Sequence, residues 1–353
     1  DDMGIPESGN GVSDVLDEVR YELEWLMKMQ DSASGGVYHK VTCEVFPETV
    51  MPQDETDELI VSPISNCATG DFAAVMAMAG RVYAETDKDF AANCLEAAKK
   101  AYAYVSTTEQ KGGFKNPGDV VTGEYPDSSY VDELLWAAAE LYKTTQDAVY
   151  QDGVKSVMES ARYEELGWAN VGLYAAYAYL TAENKDAATE EFIKTKFFAA
   201  TDDYLEKAKA NGYRNACKDY VWGSNMIVAN HGMMFLMAND ISPNEEYVSY
   251  AADQLHYLMG VNSTGYCFIT GAGTISPQNP HHRPSQVLGT CMPGMLVGGP
   301  DGDLEDPYTK AVFLNTKKPQ CYADNSQSFS CNEVTIYWNS PLAYLMAAVE
   351  NSK

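Results

Sequence analysis

The chain contains 353 residues, of which 45% are hydrophobic, so it can bury a sizeable interior and its composition excludes intrinsic disorder. Its 51 acidic residues outnumber 24 basic ones, and the formal net charge of -27 excludes nucleic acid and anionic membranes as favoured partners. The sequence contains no run of eighteen apolar residues, so we expect no transmembrane helix.

Helical periodicity begins near the N-terminus. Apolar residues recur every three to four positions between Val12 and Met27, and Ser13 precedes them as a candidate N-cap. Asp14 and Asp17 then lie in the first turn, where the helix dipole favours negative charge. Eight more apolar stripes predict helices over roughly residues 70–84, 90–106, 131–145, 168–181, 190–207, 223–238, 246–259 and 340–350.

Many helices without a chain of alternating strands predict an all-α fold. Such a chain forms either a helical toroid or a solenoid of stacked repeats. A solenoid shows a sequence period of about 30–45 residues, and no such period is present here. The sequence therefore favours the toroid.

Two stretches lack helical periodicity, residues 31–66 and residues 262–339. The second is dense in Gly, Pro, His, Asn and aromatic residues. Loops this long are uncommon in a compact domain and usually serve a function. The chemistry is therefore expected on these loops.

The eight cysteines are scattered, without a Cys-x-x-Cys pair or a Cys/His cluster. That pattern argues against a zinc ribbon or a thioredoxin-like motif. One or two disulfides among Cys267, Cys291, Cys321 and Cys331 are an open alternative, because pairing does not follow from spacing.

Two of the five histidines are adjacent, in a polar loop between Pro280 and Pro284. His281 and His282 are followed by Arg283. One or two imidazoles and a guanidinium suit the binding of hydroxyl or carboxylate groups. The alternative is a salt bridge that anchors the loop.

Two carboxylates lie among aromatic residues just before the last predicted helix, Asp324 and Glu333. Hydrolysis of a sugar polymer needs a carboxylic acid with a raised pKa that protonates the leaving oxygen, and aromatic faces stack on sugar rings. The alternative is helix capping, for which Asp and Glu near a helix start are common.

Both segments resemble the two signature regions of glycoside hydrolase family 9. The first spans residues 266–283 and includes Thr-Gly-Ala-Gly at 270–273, and the second spans residues 322–340 without a gap. Further segments of the sequence resemble the family in the same order, at 5–11, 36–40, 68–74, 132–138, 222–225 and 259–262.

The resemblance implies an (α/α)6 barrel, a toroid of six helical hairpins, whose catalytic domain covers residues 1–353 and cleaves β-1,4-glucans with inversion. Glu333 matches the family's general acid and Asp324 a carboxylate that supports the site. One or both of His281 and His282, with Arg283, match the sugar-binding element, and His281 is also a candidate catalytic residue. Endo or exo action, and cellulose, xyloglucan or mixed-linkage glucan as substrate, stay open.

Tryptophans are candidates for stacking on glucan. Trp338 matches an aromatic lining residue of the family, and Trp168 and Trp222 are further candidates for the cleft. Trp25 and Trp136 lie within apolar stripes and are expected in the core.

A calcium site is also implied by the resemblance, with Ser128, Asp132 and Glu133 as ligands. Hard oxygen ligands from a loop and the following turn suit Ca2+. The alternative is helix capping by Ser129 with Asp132 three residues later, and both arrangements are compatible.

The family's catalytic base is an Asp within an Asp-Ala-Gly-Asp motif, and residues 1–353 contain no such motif. The first barrel helices are also expected to be missing. Three explanations stand: the chain is a fragment of a longer product, another chain carries the base, or the protein is an inactive relative. Asp1 and Asp2 are poor substitutes because a free terminus positions its side chains weakly.

The sequence leaves three hypotheses for the function: an inverting β-1,4-glucanase, a non-catalytic glucan-binding module, and a helical scaffold. The resemblance further implies a secreted protein, with immunoglobulin-like, carbohydrate-binding or dockerin modules outside this chain. The expected partner is a β-1,4-glucan or cello-oligosaccharide, and neither nucleic acid nor membrane is expected.

Overall fold

The computed structural model describes residues 3–351, and α-helices form most of the regular structure among them. The helices are α1 (Asp14–Leu26), α2 (Asn66–Val82), α3 (Lys88–Val105), α4 (Val131–Thr145), α5 (Ala148–Val157), α6 (Gly172–Leu180), α7 (Ala187–Lys209), α8 (Ser224–Ile241), α9 (Glu245–Leu258), α10 (Arg283–Leu288), α11 (Pro307–Val312), α12 (Phe329–Asn332) and α13 (Ile336–Asn351). Short 3-10 helices span Met27–Met29, Pro52–Asp54 and Lys318–Gln320.

Four two-residue strands lie within the predicted irregular stretch 31–66. They are β1 (Val37–Tyr38), β2 (Val41–Thr42), β3 (Ile60–Val61) and β4 (Ile64–Ser65). β1 pairs antiparallel with β4, with Val37 opposite Ser65, and β2 pairs antiparallel with β3. These short pairs add little sheet to a helical chain.

The nine predicted helical stripes all coincide with helices, namely α1–α4, α6–α9 and α13. The sequence did not predict α5. Its central Gly153 obscures the apolar pattern, because glycine is a poor helix former. The packing explains this glycine: a Cβ there would lie 2.1 Å from the Tyr102 hydroxyl of α3.

One compact unit contains the residues up to Phe46 and residues Asp57–Phe197. In it α2 packs against α3 and α4, and α4 packs against α5 and α6. The α2–α4 approach is close because Gly70 faces Glu133: a Cβ at Gly70 would lie 2.6 Å from the Glu133 Cβ. This packing buries the Glu133 carboxyl between helices.

The second compact unit comprises Pro47–Thr56 and Phe198–Lys353. In it α8 packs against α9 and α13. The long segment between α9 and α13, predicted to be irregular, holds only the short helices α10, α11 and α12 and one 3-10 turn. This segment carries the His-His-Arg sequence and Glu333.

The first helix departs from expectation in two ways. Ser13 occupies the N-cap position of α1, but its side chain makes no capping hydrogen bond. Trp25 is 41% exposed, so the prediction that it belongs to the core is wrong, since of the stripe only Leu23 is buried. Trp136 is half-buried and stacks on Tyr174.

All eight cysteines fall within the described residues, and all are free. The disulfides considered among the last four are therefore not formed. Within residues 3–351 no helix is long and apolar enough to cross a bilayer.

Candidate active site

Glu333 lies at the end of α12, directly before α13, and is half-buried. The indole Nε1–H of Trp222 donates to Glu333 Oε2 at 3.0 Å. The backbone of Glu333 is held on two sides: its carbonyl accepts the Gly298 N–H at 3.0 Å, and its segment bridges to His281. The fold thus places a carboxyl, an indole and an imidazole-bearing segment together.

The pKa of the Glu333 carboxyl is raised from its ordinary value of 4.5. Burial is the cause, because a desolvated carboxyl favours its neutral form. The Trp222 hydrogen bond and the charges of His281 and Arg283 oppose the shift without cancelling it. The group therefore holds its proton to higher pH than an ordinary Glu, as a general acid requires.

The first histidine of the pair is fixed by the loop that precedes α12. His281 Nδ1 lies 2.7 Å from the Ser326 carbonyl. A carbonyl only accepts, so Nδ1 carries the proton and Nε2 is left for a ligand or a proton. The ring also meets the edge of Phe329, with centroids 6.0 Å apart.

The side chains of His282 and Arg283 each make a hydrogen bond within the same compact unit. His282 Nδ1 hydrogen-bonds to Ser285 Oγ at 2.9 Å, and burial lowers the pKa of its imidazole. Arg283 Nε donates to the Pro47 carbonyl at 3.1 Å. Among residues 3–351, Arg283 has no ion-pair partner within 4.0 Å, so the salt bridge considered for this loop is not formed.

Asp324 anchors the histidine loop. One of its oxygens accepts the Gln278 N–H at 2.9 Å and the other accepts the Asn279 N–H at 2.8 Å. These bonds hold the backbone two residues before His281. The carboxylate therefore acts on the site through the loop that it holds.

A polar cavity of about 240 Å³ lies beside this loop. Its wall is made of amide and hydroxyl side chains and Pro280 backbone, with Gln278, Asn279, Ser285, Gln286, Thr290 and Ser326 among the lining residues. Neutral donors and acceptors of this kind suit sugar hydroxyl groups.

Two buried carboxylates that the sequence did not single out support the site. Asp306 caps α11 through the Thr309 N–H at 2.7 Å and also accepts the Ser330 hydroxyl of α12 at 2.6 Å. The spacing of Asp306 and Thr309 is a capping-box signal that the sequence offers. The contact with α12, 24 residues later, has no local signal.

The second support is Asp301, which accepts the N–H groups of residues 303, 304 and 305. This turn presents Glu305, whose Oε2 accepts the Trp222 N–H at 3.0 Å. Trp222 is thus held by Glu305 at its backbone while its indole meets Glu333.

The three candidate stacking tryptophans differ in exposure. Trp222 is 38% exposed and Trp168 is 44% exposed, Trp168 resting edge-on against Tyr125. Trp338 is only 3% exposed, so its ring offers no free face to a sugar. Its edge would lie 3.0 Å from a Cβ at Gly223, so it supports the backbone next to Trp222 and does not line the surface.

The structure places the three predicted calcium ligands in different surroundings. Ser128 is exposed, and the Asp132 oxygens are engaged by Arg162 Nη2 at 3.0 Å and by the Val171 N–H at 3.0 Å. Glu133 is fully buried, and neither of its carboxyl oxygens has a hydrogen-bond partner among the described residues. The buried Glu133 carboxyl, without a partner among the described residues, is the member of this set that a bound cation would complement.

Burial first, and then the neighbouring charges of Asp71 and Asp132, raise the pKa of Glu133 to about 10. The pKa of Asp71 is raised to about 8, first by burial and then by Asp132. Burial and mutual repulsion therefore both favour the neutral forms of these two carboxyls.

Known proteins are similar to this chain in both sequence and structure. A family model for glycosyl hydrolase family 9 matches residues 5–346. Endoglucanase D of Acetivibrio thermocellus is 34% identical over 358 residues, covering 99% of this chain and 55% of that protein. A xyloglucan-specific endo-beta-1,4-glucanase of Bacteroides ovatus is 34% identical over 370 residues, covering 99% of this chain and 62% of that protein.

A solved thermostable endoglucanase of Alicyclobacillus acidocaldarius, a single mutant, is similar with a TM-score of 0.91 at 36% identity, covering 95% of this chain and 64% of that one. The agreement confirms the predicted all-α fold of the (α/α)6 barrel class. The chain spans between half and two thirds of the length of these relatives.

Proposed function

The chain belongs to glycoside hydrolase family 9, and we propose that it carries the acid side of an active site that hydrolyses β-1,4-glucosidic bonds in cellulose or related β-glucans with inversion. One observation carries the proposal. The half-buried Glu333, with a raised pKa, receives a hydrogen bond from Trp222 and lies beside His281 on a bridged backbone.

In the proposed reaction, protonated Glu333 donates its proton to the glycosidic oxygen as the bond between that oxygen and the anomeric carbon breaks. The negative charge left on Glu333 is stabilised by the Trp222 indole N–H and by the positive charge of Arg283. His282, His281 and Arg283 bind sugar hydroxyls, and Trp222 offers its exposed ring face.

Inversion also needs a carboxylate that takes a proton from the attacking water on the opposite face. The proposal assigns this step to an Asp of the family's Asp-Ala-Gly-Asp motif, a motif that residues 1–353 do not contain. As the glycosidic bond breaks, the proton of Glu333 goes to the leaving oxygen and the hydroxyl of the attacking water bonds to the anomeric carbon. The base holds the other proton of that water and releases it to solvent, from which Glu333 is protonated again, so the cycle balances.

The test uses the full product of the gene, with whatever coding sequence lies upstream of Asp1. We expect release of reducing sugar from carboxymethylcellulose and cello-oligosaccharides, with the α-anomer formed first when the products are followed by NMR. No release from any β-glucan would overturn the proposal, and initial formation of the β-anomer would overturn the inverting mechanism.

A glucan-binding role without chemistry is the second candidate, and the exposed rings of Trp222 and Trp168 favour it. Calorimetry with cellohexaose separates the two functions. Binding without turnover by the full gene product supports this role, whereas turnover excludes it. For residues 1–353 alone we expect binding without turnover, because the proposed base is not in this sequence.

We propose only the class of substrate, a β-1,4-glucan, and the particular glucan is identified by experiment. One similar protein is an endoglucanase and another is specific for xyloglucan. Parallel assays on carboxymethylcellulose, xyloglucan and mixed-linkage glucan distinguish the substrates, and product lengths over time distinguish internal cleavage from cleavage at chain ends.

The proposal places the protein outside the cell. Support comes from the substrate, because an insoluble polymer is cut where it lies, and from the net charge of -27, which favours solubility. Fractionation of the source cells tests this location. Accompanying modules, if the gene encodes them, are part of the same secreted protein.

We also propose a bound Ca2+ at Ser128, Asp132 and Glu133, supported by the family resemblance and by the buried Glu133 carboxyl, which has no hydrogen-bond partner among the described residues. A bound ion would raise the melting temperature through linkage. Melting in the presence of a calcium-selective chelator, with and without added Ca2+, measures that effect.

A further inference from the structure

We propose that Glu305 is a positioning residue for the acid: its carboxylate holds the backbone of Trp222 so that the indole N–H points at Glu333. The three residues belong to the second compact unit. The proposal rests on the acid role proposed for Glu333. Glu305 acts on the reaction through Trp222 and makes no contact with the sugar.

Trp222 donates a hydrogen bond to a carboxyl group from each end of the residue. Its backbone N–H donates to Glu305 Oε2 at 3.0 Å, and its indole Nε1–H donates to Glu333 Oε2 at 3.0 Å. The ring contacts Phe329, with centroids 5.2 Å apart, yet Trp222 is 38% exposed, so packing encloses the ring only in part. Because a side chain takes a few staggered rotamers relative to its backbone, holding that backbone fixes the directions open to the indole.

The turn that carries Glu305 is itself fixed to the start of α8. Asp301 accepts the Glu305 N–H at 2.6 Å. The Ser224 hydroxyl, in the first turn of α8, donates to the Pro300 carbonyl at 2.7 Å. The carboxylate of Glu305 is therefore presented from a backbone that is anchored next to Trp222.

The two sides of Trp222 are held in different ways. Gly223 follows it with a φ of 80°, and a Cβ there would lie 3.0 Å from the Trp338 ring, so close packing fixes this side. On the other side the N–H is held by Glu305. Trp222 lies just before α8, where the helix dipole makes a negative charge stabilising. A charged acceptor also makes the stronger kind of hydrogen bond.

Two routes from Glu305 to the Glu333 carboxyl have opposite signs. A negative charge nearby raises the pKa of Glu333, so its removal lowers that pKa. A held indole donor lowers the pKa, so its release raises that pKa. In the structure the Trp222 hydrogen bond lowers the pKa of Glu333 most, followed by the charges of His281 and Arg283. The route through the indole is therefore the one that the geometry supports.

The experiment follows the indole N–H of Trp222 by heteronuclear NMR during a pH titration of the full gene product. The resonance is identified by its loss in Trp222→Phe. Its shift reports the ionisation of Glu333, so Glu333→Gln should abolish the titration. This measurement needs no turnover, so its result is independent of whether the protein hydrolyses glucan.

Glu305→Ala should raise the midpoint of this titration. It should also lower kcat on cellotetraose by about 3–10-fold, the size expected when one hydrogen bond is lost. Glu305→Gln, whose amide oxygen still accepts the Trp222 N–H, should keep both near the wild-type values. The control is Asp303→Ala, which removes an exposed carboxylate of the same turn that pairs with Lys318, and it should leave the midpoint unchanged. Because Glu305 is exposed, we expect its variants to fold.

A double variant tests whether Glu305 acts through Trp222. If it does, kcat on cellotetraose falls in Glu305→Ala/Trp222→Phe by about as much as in Trp222→Phe alone, because the second change removes what the first one disturbs. KM should change less than kcat in Glu305→Ala, since its carboxylate does not touch the sugar. Losses that multiply would overturn the proposal.

The titration gives further results that overturn it. These are a wild-type indole resonance that does not titrate, a midpoint in Glu305→Ala that stays in place or falls, and equal shifts in Glu305→Ala and Glu305→Gln. A protein that hydrolyses no β-glucan would contradict the proposed function, while the titration would still show whether Glu305 directs Trp222 to Glu333. A midpoint raised in Glu305→Ala and kept in Glu305→Gln supports the proposal.

Discussion

The protonation of Glu333 results from two opposing effects on one side chain. Burial raises the pKa of its carboxyl, while the indole N–H of Trp222 and the charges of His281 and Arg283 favour the carboxylate. A general acid must hold its proton before the reaction and be stable as an anion after it, and these two effects meet both requirements. The carboxyl keeps its proton until it is needed, and the anion left after transfer has a donor already in place at 3.0 Å.

Trp222→Phe tests this balance by removing the N–H donor. We expect the pKa of Glu333 to rise further, so that the basic limb of the activity profile moves to higher pH. Activity on unactivated substrates should fall by about 10-fold or more, because the acid loses its orienting bond.

The pH profile of kcat/KM for the full gene product measures this shift. Trp136→Phe is the matched control, since the Trp136 Nε1 is buried without a hydrogen-bond partner among residues 3–351 and is not next to Glu333 in the chain. A basic limb that stays in place, or that moves to lower pH, in Trp222→Phe would contradict the assignment.

The pH dependence of the melting temperature tests whether the Glu133 carboxyl is buried without a partner. Burial raises its pKa to about 10, above the ordinary value of 4.5. The carboxyl therefore contributes its full stability below about pH 4.5, and that contribution is lost as the pH rises toward 10. In chelator-treated protein, Glu133→Gln should make the melting temperature less dependent on pH and raise it by a few degrees at pH 8.

Glu140→Gln is the matched control on the same helix. Glu140 is also buried, but its carboxylate pairs with Arg81 at 2.8 Å. Removing that charge leaves the guanidinium unpaired, so this variant should melt lower at pH 8. If Glu133→Gln also melts lower at pH 8 without metal, the account of Glu133 as an unpartnered carboxyl fails.

At the scale of secondary structure elements, one carboxylate links two short helices to the site. Asp306 caps α11 and holds α12 through Ser328 and Ser330, and Glu333 is the C-cap residue of α12. Helices of four to six residues have little stability of their own. Their geometry therefore depends on this buried contact.

Asp306→Ala should lower the free energy of unfolding by about 3 kcal/mol or more, because several buried donors lose a charged acceptor. Burial raises the pKa of Asp306, but hydrogen bonds from Ser330 and Thr309 lower it more, so the net shift is downward. The stability from this group is thus present above about pH 3.8 and is lost as the pH falls through the lowered pKa.

Denaturant unfolding of Asp306→Ala at pH 6 and pH 3 measures both effects. The control is Asp303→Ala, which removes an exposed pair with Lys318 and should cost less than about 1 kcal/mol. Equal losses in the two variants at pH 6 would contradict the role given to Asp306.

The histidine loop provides a second test at this scale. Asp324 accepts two backbone N–H groups, so Asp324→Asn, which can still accept one, should keep more activity than Asp324→Ala. Full gene product assayed on cello-oligosaccharides gives kcat and KM for both. Equal and complete loss in the two variants would indicate that the negative charge itself is needed, which the loop-anchor role does not explain.

Local sequence pattern predicted the long helices and left the contacts between distant segments open. Apolar stripes located α4 and α8, because a buried helix face repeats every 3.6 residues. The Trp222–Glu333 bond joins residues 111 positions apart. The engagement of Asp132 by Arg162 likewise depends on tertiary packing. Family resemblance supplied Glu333, but neither it nor the pattern indicated Glu305 or the contact of Asp306 with α12.

At the scale of the whole molecule, the net charge of -27 suits a neutral polymer as substrate. A negative surface repels anionic polymers and leaves uncharged glucan unaffected. The proposed hydrolysis depends on one acid, Glu333, which lies in the second compact unit. Its central claim is that Glu333 protonates the leaving oxygen.

That claim is tested most directly by comparing two substrates with Glu333→Gln in the full gene product. Cellotetraose has a poor leaving group that needs protonation, whereas 2,4-dinitrophenyl cellobioside has a leaving group that departs without it. We predict that kcat on cellotetraose falls by about 10²–10⁴-fold, while kcat on the dinitrophenyl substrate stays near that of the wild type. Wild-type activity on cellotetraose, or an equal loss on both substrates, would contradict the role of Glu333 as general acid.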